Sequence, residues 1–236
     1  MSSKSLALVF GGSRGIGAAC VQALARDGFD VALTYVAQPP AAVPGTRAYR
    51  ADVRDAAAVA QVFADARLDF GSAPRVVVAN AGINVPPGPI AQFGDEPFRQ
   101  LVEVNLVGAF NVLREAARQV EDGGAIVALT TSLVRHAAPG IGPYSATKAA
   151  VECLVRSLAK ELAGRKVRVN AVAPGPVDTE LFHAGKTDDA KARSAAMSPF
   201  NRIGTPDEVA EVVAFLASAR ASWIHGQVVQ PNGGLI

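Results

Sequence analysis

The 236-residue chain is half hydrophobic and sets 23 Lys and Arg against 21 Asp and Glu, a formal charge of +2. A charge that small, with no cluster of basic residues, gives no sign of a nucleic-acid partner. No apolar run approaches the roughly 18 residues of a membrane span, and the length suits one large α/β domain.

The N-terminus, Met1 to Ser5, runs into a short apolar stretch that ends at glycines rather than at a cleavable signal pattern, so a cytoplasmic protein is expected. Short β-rich runs then alternate with helix-period segments, the pattern of βαβ units around a parallel sheet. Strands are predicted over 6–10, 31–35, 47–50, 75–79, 125–130, 167–171 and 227–230, and helices over 15–27, 56–68, 97–120, 144–163 and 206–217. Thr205 before Pro206, with Asp207 and Glu208 in the first turn, marks the last helix start. Between Tyr35 and Asp52 the prolines and glycine oppose a helix, so that crossover is expected to be mostly loop. Cys20 and Cys153 have no metal-ligand spacing and read as buried small hydrophobes, and with His136, His183 and His225 scattered, no metal site is expected.

The first predicted strand opens directly into Gly11-Gly12-Ser13-Arg14-Gly15-Ile16-Gly17 and then a helix. Small residues there let a backbone approach a pyrophosphate, and the helix N-terminus offers N–H donors and positive potential. Gly11, Ser13, Arg14, Gly15 and Ile16 are therefore candidate dinucleotide-binding residues.

Together with later motifs, this turn makes the chain resemble the short-chain dehydrogenase/reductase family over nearly its whole length. Those motifs are Asp52-Val53, Asn80-Ala81-Gly82, Asn105, Tyr144 with Lys148, Pro174-Gly175 and Asn232-Gly233-Gly234, in that order. The resemblance implies a Rossmann-type, doubly wound parallel sheet of seven strands in a single domain. It also implies cofactor contacts from Asp52, Val53, Asn80, Ala81, Gly82, Pro174, Gly175, Val177 and Thr179.

An acid at the end of the second strand would favour NAD by binding the ribose and repelling the extra phosphate of NADP. That end reads Thr34-Tyr35-Val36, with no acid. Arg14 sits where similar NADP-dependent proteins carry a basic residue, so NADPH is favoured, with NAD the alternative. A solvated loop cation is the other reading of Arg14, and Val36 stands where many such relatives carry a second base.

Tyr144 and Lys148 are four residues apart, on one face of the helix predicted to start beside them. A free phenol has a pKa of roughly 10, so it needs a nearby cation to act as a base near neutrality. The family resemblance implies that Tyr144 exchanges a proton with the substrate oxygen while Lys148 depresses its pKa and holds the nicotinamide ribose. It also implies that Asn105 keeps a water for proton relay; a locally bonded mid-helix Asn is the plainer reading.

The hydroxyl that meets the substrate carbonyl has two candidates. Serine is the commoner family choice and favours Ser132, whereas the register from Gly124 and the 13-residue spacing to Tyr144 favour Thr131. Adjacent strand residues face opposite sides, so only one is expected in the site.

The resemblance further implies a substrate lid at about 178–203. Surplus apolar residues on the helices over 97–120 and 144–163 suggest contacts between subunits, and a homotetramer is expected, with a dimer as alternative. The leading function is an NADPH-dependent reductase taking a ketone, with 3-oxoacyl carriers the nearest general resemblance, to a secondary alcohol. A dinucleotide-binding regulator with little turnover is the alternative, kept open by the Thr at the Ser position and the helix-free crossover.

Overall fold

The computed structural model describes residues 4–41 and 43–236. The reading of the N-terminus falls partly on residues 1–3, and the crossover reading partly on residue 42, outside the described residues.

Seven strands form one sheet: β1 (Leu6–Phe10), β2 (Asp30–Tyr35), β3 (Thr46–Arg50), β4 (Pro74–Ala79), β5 (Ala125–Leu129), β6 (Arg168–Val172) and β7 (Val228–Val229). Their order is β3-β2-β1-β4-β5-β6-β7, every pair parallel, which is the doubly wound arrangement. Because both faces are covered, the central strands read as continuous apolar runs rather than alternating ones, and every residue of β1 and β5 is buried.

Strand alternation sorts those runs into two cores. Leu6, Leu8, Phe10 and Ile126 pack under helices α2 (Ala56–Phe70), α4 (Ala109–Gln119) and α5 (Gly142–Leu162). Ala7, Val9, Val31 and Val127 pack under α1 (Gly15–Arg26) and α8 (Pro206–Ala217) on the other face. Helix α8 starts with a full capping box, in which Thr205 and Glu208 satisfy each other's backbone N–H groups.

Two sequence readings change. The helix predicted over 97–120 is divided: α3 (Asp95–Leu101) passes into a π-helical segment, Val102–Gly108, before α4 begins. Asn105 lies inside that wider turn, and Gly108 allows close approach, since a Cβ there would lie 2.5 Å from Val53. Cys153 is exposed, because it lies on the outer face of α5, whereas Cys20 is buried. Burial pushes the Cys20 thiol up to about 12, so it stays protonated. The β2–β3 crossover has no helix among its described residues, and the segment from 178 to 203 holds two short helices, α6 (Glu180–His183) and α7 (Asp188–Ala196).

Candidate active site

In a parallel sheet of this order, the carboxyl ends of the strands open into a crevice where the order reverses, here between β1 and β4. The candidate residues gather along it because each follows a strand: Gly11 after β1, Asp52 after β3, Asn80 after β4, Thr131 after β5 and Pro174 after β6.

The glycine turn is built by close approach. Gly11 has φ of +78°, and a Cβ on it would lie 2.7 Å from the Ala81 Cα. A Cβ on Gly17 would lie 2.0 Å from the Gly11 carbonyl oxygen, so no larger residue fits there. The Gly11 N–H donates to Thr34 Oγ1 at 2.9 Å, while the Asn80 amide donates to the Gly11 carbonyl at 2.7 Å and ties the turn to the end of β4. Ser13, Arg14, Gly15 and Ile16 complete the entry to α1. That helix has no side-chain cap at Arg14 and no acid in its first turn, so its N–H groups stay available to an anion. A dinucleotide pyrophosphate fits this cradle.

Farther along, Gly82 makes room for two polar groups, since a Cβ there would lie 3.2 Å from both Asn105 Oδ1 and Lys148 Nζ. Asn105 is fully buried and spans the Ile83 backbone, accepting from its N–H at 2.8 Å and donating to its carbonyl at 2.9 Å. Its amide also reaches Thr147, whose hydroxyl donates to the Tyr144 carbonyl at 2.7 Å. Thus the π turn and the start of α5 are locked to each other.

Only one of the two hydroxyl candidates faces Tyr144. Thr131 is close enough to the phenol to lower its pKa, while Ser132 turns away and donates to the Ala173 carbonyl at 2.7 Å. Thr130, on the same side of the extended backbone as Ser132, meets buried Glu152 instead.

Burial holds the Tyr144 phenol up at about 12, partly offset by the Thr131 hydroxyl. Lys148, with 6% of its surface exposed, donates to the Leu129 carbonyl at 3.0 Å, and burial lowers its pKa to about 8. Burial outweighs the hydroxyl's effect, and in the cofactor-free chain both the phenol and Lys148 keep their protons at neutral pH. A protonated phenol beside a hydroxyl can donate a proton to a carbonyl oxygen.

Asp52 is gripped by Arg54, whose Nη2 donates to it at 2.6 Å, and the guanidinium holds its carboxyl below the usual range. Val53 is buried against Gly108, and Asn111 donates to the Val53 carbonyl at 2.9 Å. Pro174 accepts from the Ser132 N–H at 2.9 Å, and Gly175 packs on Asn232. Val177 bridges to Gly204, and Thr179 approaches Gly15, where a Cβ would lie 3.3 Å from its methyl. Arg14 does not stand alone: it pairs with Glu180 at 3.2 Å, both side chains largely exposed. Thr34, Arg54, Asn111 and Thr147 carry no motif and escape sequence reading, although Thr147 lies one helical turn beyond Tyr144, on the same face.

Comparison with known proteins gives the family. Residues 11–236 match a family model described as enoyl-(acyl carrier protein) reductase. A Picea abies protein named "Short-chain type dehydrogenase/reductase" is 40% identical over 250 residues, covering 98% of this chain and 92% of the relative. The chain belongs to the short-chain dehydrogenase/reductase family.

As a member of that family of oxidoreductases, the enzyme has further relatives whose names are more specific. An Arabidopsis thaliana relative named "NADPH-dependent aldehyde reductase-like protein, chloroplastic" is 38% identical, covering 98% of this chain and 94% of the relative. Among solved structures, a Serratia marcescens short-chain dehydrogenase/reductase superposes with a TM-score of 0.88 at 32% identity, covering 100% of this chain and 99% of that one. A blue fluorescent protein from a metagenomic library, solved in complex with NADPH, superposes with a TM-score of 0.88 at 31% identity, covering 98% of this chain and 97% of that one.

Proposed function

We propose that this short-chain dehydrogenase/reductase reduces an aldehyde or ketone to an alcohol with NADPH. The observation that carries the reading is Thr131 beside Tyr144, with Lys148 one turn along α5 and bonded to the Leu129 carbonyl at the end of β5. Gly11, Ser13, Gly15 and Ile16 would hold the pyrophosphate, with Asp52, Val53, Asn80, Ala81 and Gly82 on the adenine side and along the crevice floor. Lys148, Pro174, Gly175, Val177 and Thr179 would hold the nicotinamide half. When bound, the cofactor supplies the hydride. Thr131 orients the substrate oxygen, Tyr144 donates its proton to that oxygen, and Asn105 keeps a water for proton relay.

NADPH is favoured over NADH by the lack of a carboxylate at the end of β2 and by Arg14, and the names of the Arabidopsis relatives support it. The cleft beside Tyr144 is walled by Val85, Pro87, Phe93 and Ile141, with no charged side chain in its lining. Neutral, apolar carbonyl compounds suit such a wall; the 3-oxoacyl class is proposed beside them, and the family model's description, an enoyl-(acyl carrier protein) reductase, shares only its acyl carrier. Residues 178–203, carrying α6 and α7, act as the substrate lid.

The decisive measurement is NADPH consumption, followed by absorbance, with a panel of neutral aldehydes, neutral ketones and 3-oxoacyl thioesters. Turnover of at least one class is expected. NADPH binding without turnover of any of them would replace the reductase reading with that of a regulator.

A homotetramer is proposed, with a dimer as the alternative. It is supported by apolar residues left open on α4 and α5, Phe110 and Cys153 among them, and by Trp223 beside the edge strand β7, 97% exposed. Light scattering should give the mass of four chains, and Cys153 should then resist thiol reagents in the native assembly. A single-chain mass with rapid Cys153 labelling would refute assembly through α5. A cytoplasmic location is proposed from the sequence; no described helix is long and apolar enough to cross a membrane, and two plant relatives are named as chloroplastic.

A further inference from the structure

The crossover after β2 leaves a charge unexplained. From Val36 to Gly45 the sequence has no Asp, Glu, Lys or Arg, and Val36 itself is apolar and 56% exposed. Neither sign of charge comes from the loop that borders the end of β2.

A cation reaches this place from the neighbouring strand instead. β2 and β3 pair in parallel with Tyr35 opposite Arg50, so Arg50 ends β3 at the level where β2 ends. Its Nε donates to the Val36 carbonyl at 3.1 Å, which fixes the guanidinium across the mouth of β2. Among the described residues its two terminal nitrogens have no hydrogen-bond or ion-pair partner, whereas Arg47 and Arg54 on either side are matched by Asp69 and Asp52. Strand alternation puts Arg50 on the opposite face of β3 from Arg47, away from Asp69.

The end of β2 also touches the glycine turn. Gly12 N–H donates to the Thr34 carbonyl at 3.0 Å, and Gly11 N–H to the Thr34 hydroxyl. In this fold the adenosine ribose of a dinucleotide lies beyond that strand end. Arg14, in that turn, is held by an exposed pair with Glu180, of the weak kind that a phosphate can displace.

We propose that Arg50 is a phosphate-binding residue that takes the ribose 2′-phosphate of NADPH from the β3 side, in place of a basic residue directly after β2. This rests on the NADPH reading above. A planar guanidinium held at Nε presents its remaining N–H donors in a fixed fork, the geometry that binds a phosphate monoester well. The short crossover matters here, because the loop carries no charged residue and, among its described residues, no helix to stand between Arg50 and the strand end.

Titration calorimetry of the full chain with NADPH and with NADH, at low salt, tests the assignment. Arg50→Gln should weaken NADPH about tenfold or more and leave NADH within about twofold, and Arg50→Lys should recover part of the loss. Thermal unfolding of each variant checks that the exposed substitution leaves the fold intact. Equal losses for both cofactors, or no loss for either, would overturn the role of Arg50 while leaving the NADPH reading standing. Wild-type protein that binds NADH as tightly as NADPH would overturn both.

Discussion

Tyr144→Phe will reduce carbonyl turnover by about a thousandfold while NADPH binding stays close to wild type. The substitution removes one hydroxyl and keeps the ring, so the packing of α5 is undisturbed and the loss reports the proton alone. General acid catalysis by a positioned side chain contributes about 10²–10⁴-fold, which sets the size of the effect. Turnover within about threefold of wild type would mean that another group supplies the proton.

The pH profile carries a second signature of the same site. Lys148, lowered to about 8, is charged below that pH and loses its proton as pH rises through it, while the phenol holds its proton until about 12. Activity at limiting substrate should therefore be level below about pH 8 and decline above it. Stability of the cofactor-free protein should move the other way over the same range. Between about 8 and 10.5 the unfolded chain holds more protons at this lysine than the folded one, so the lysine's contribution to stability rises with pH there. Parallel changes in both measurements would show that general unfolding, and not Lys148, limits the rate.

Thr131→Ala will lower kcat/KM by about a hundredfold, the scale of removing one hydrogen-bond donor from a polarised oxygen, and Ser132→Ala will leave it within about threefold. The two side chains are adjacent in sequence and opposite in orientation. Thr131 acts on the Tyr144 phenol, whereas Ser132 is fully buried and donates to the Ala173 carbonyl. Ser132→Ala should instead lower stability by about 1 kcal/mol, because a buried carbonyl loses its donor. Steady-state kinetics and denaturant unfolding on both variants separate the two roles. The reverse ranking in kcat/KM would return the hydroxyl to Ser132.

Chain pattern alone located the seven strands to within about two residues, because a strand buried on both faces is a continuous apolar run and its neighbours in the sheet come from the same alternation. It also set out the glycine turn, whose strand and helix are contiguous in sequence, and the Tyr144–Lys148 pair, whose spacing is a single helical turn. Such features depend on local geometry. The break in the helix over 97–120 was hidden because Val102, Val104 and Val107 continue an apolar period, while the π turn follows from Asn105 reaching the Ile83 backbone and from Gly108 closing on Val53. The exposure of Cys153 was hidden for a related reason: an apolar helix surface reads the same whether the sheet or nothing in the chain covers it.

By itself the sequence determined the family, the order of the βαβ units and which residues follow each strand. Tertiary structure decided which of two neighbouring hydroxyls lies beside Tyr144, how burial raises the pKa of the phenol, and that Arg50 of one strand lies against the Val36 carbonyl of the next. The physical reason is common to all three. Direction, desolvation and cross-strand contact belong to groups brought together by the sheet, and no spacing along a single chain encodes them.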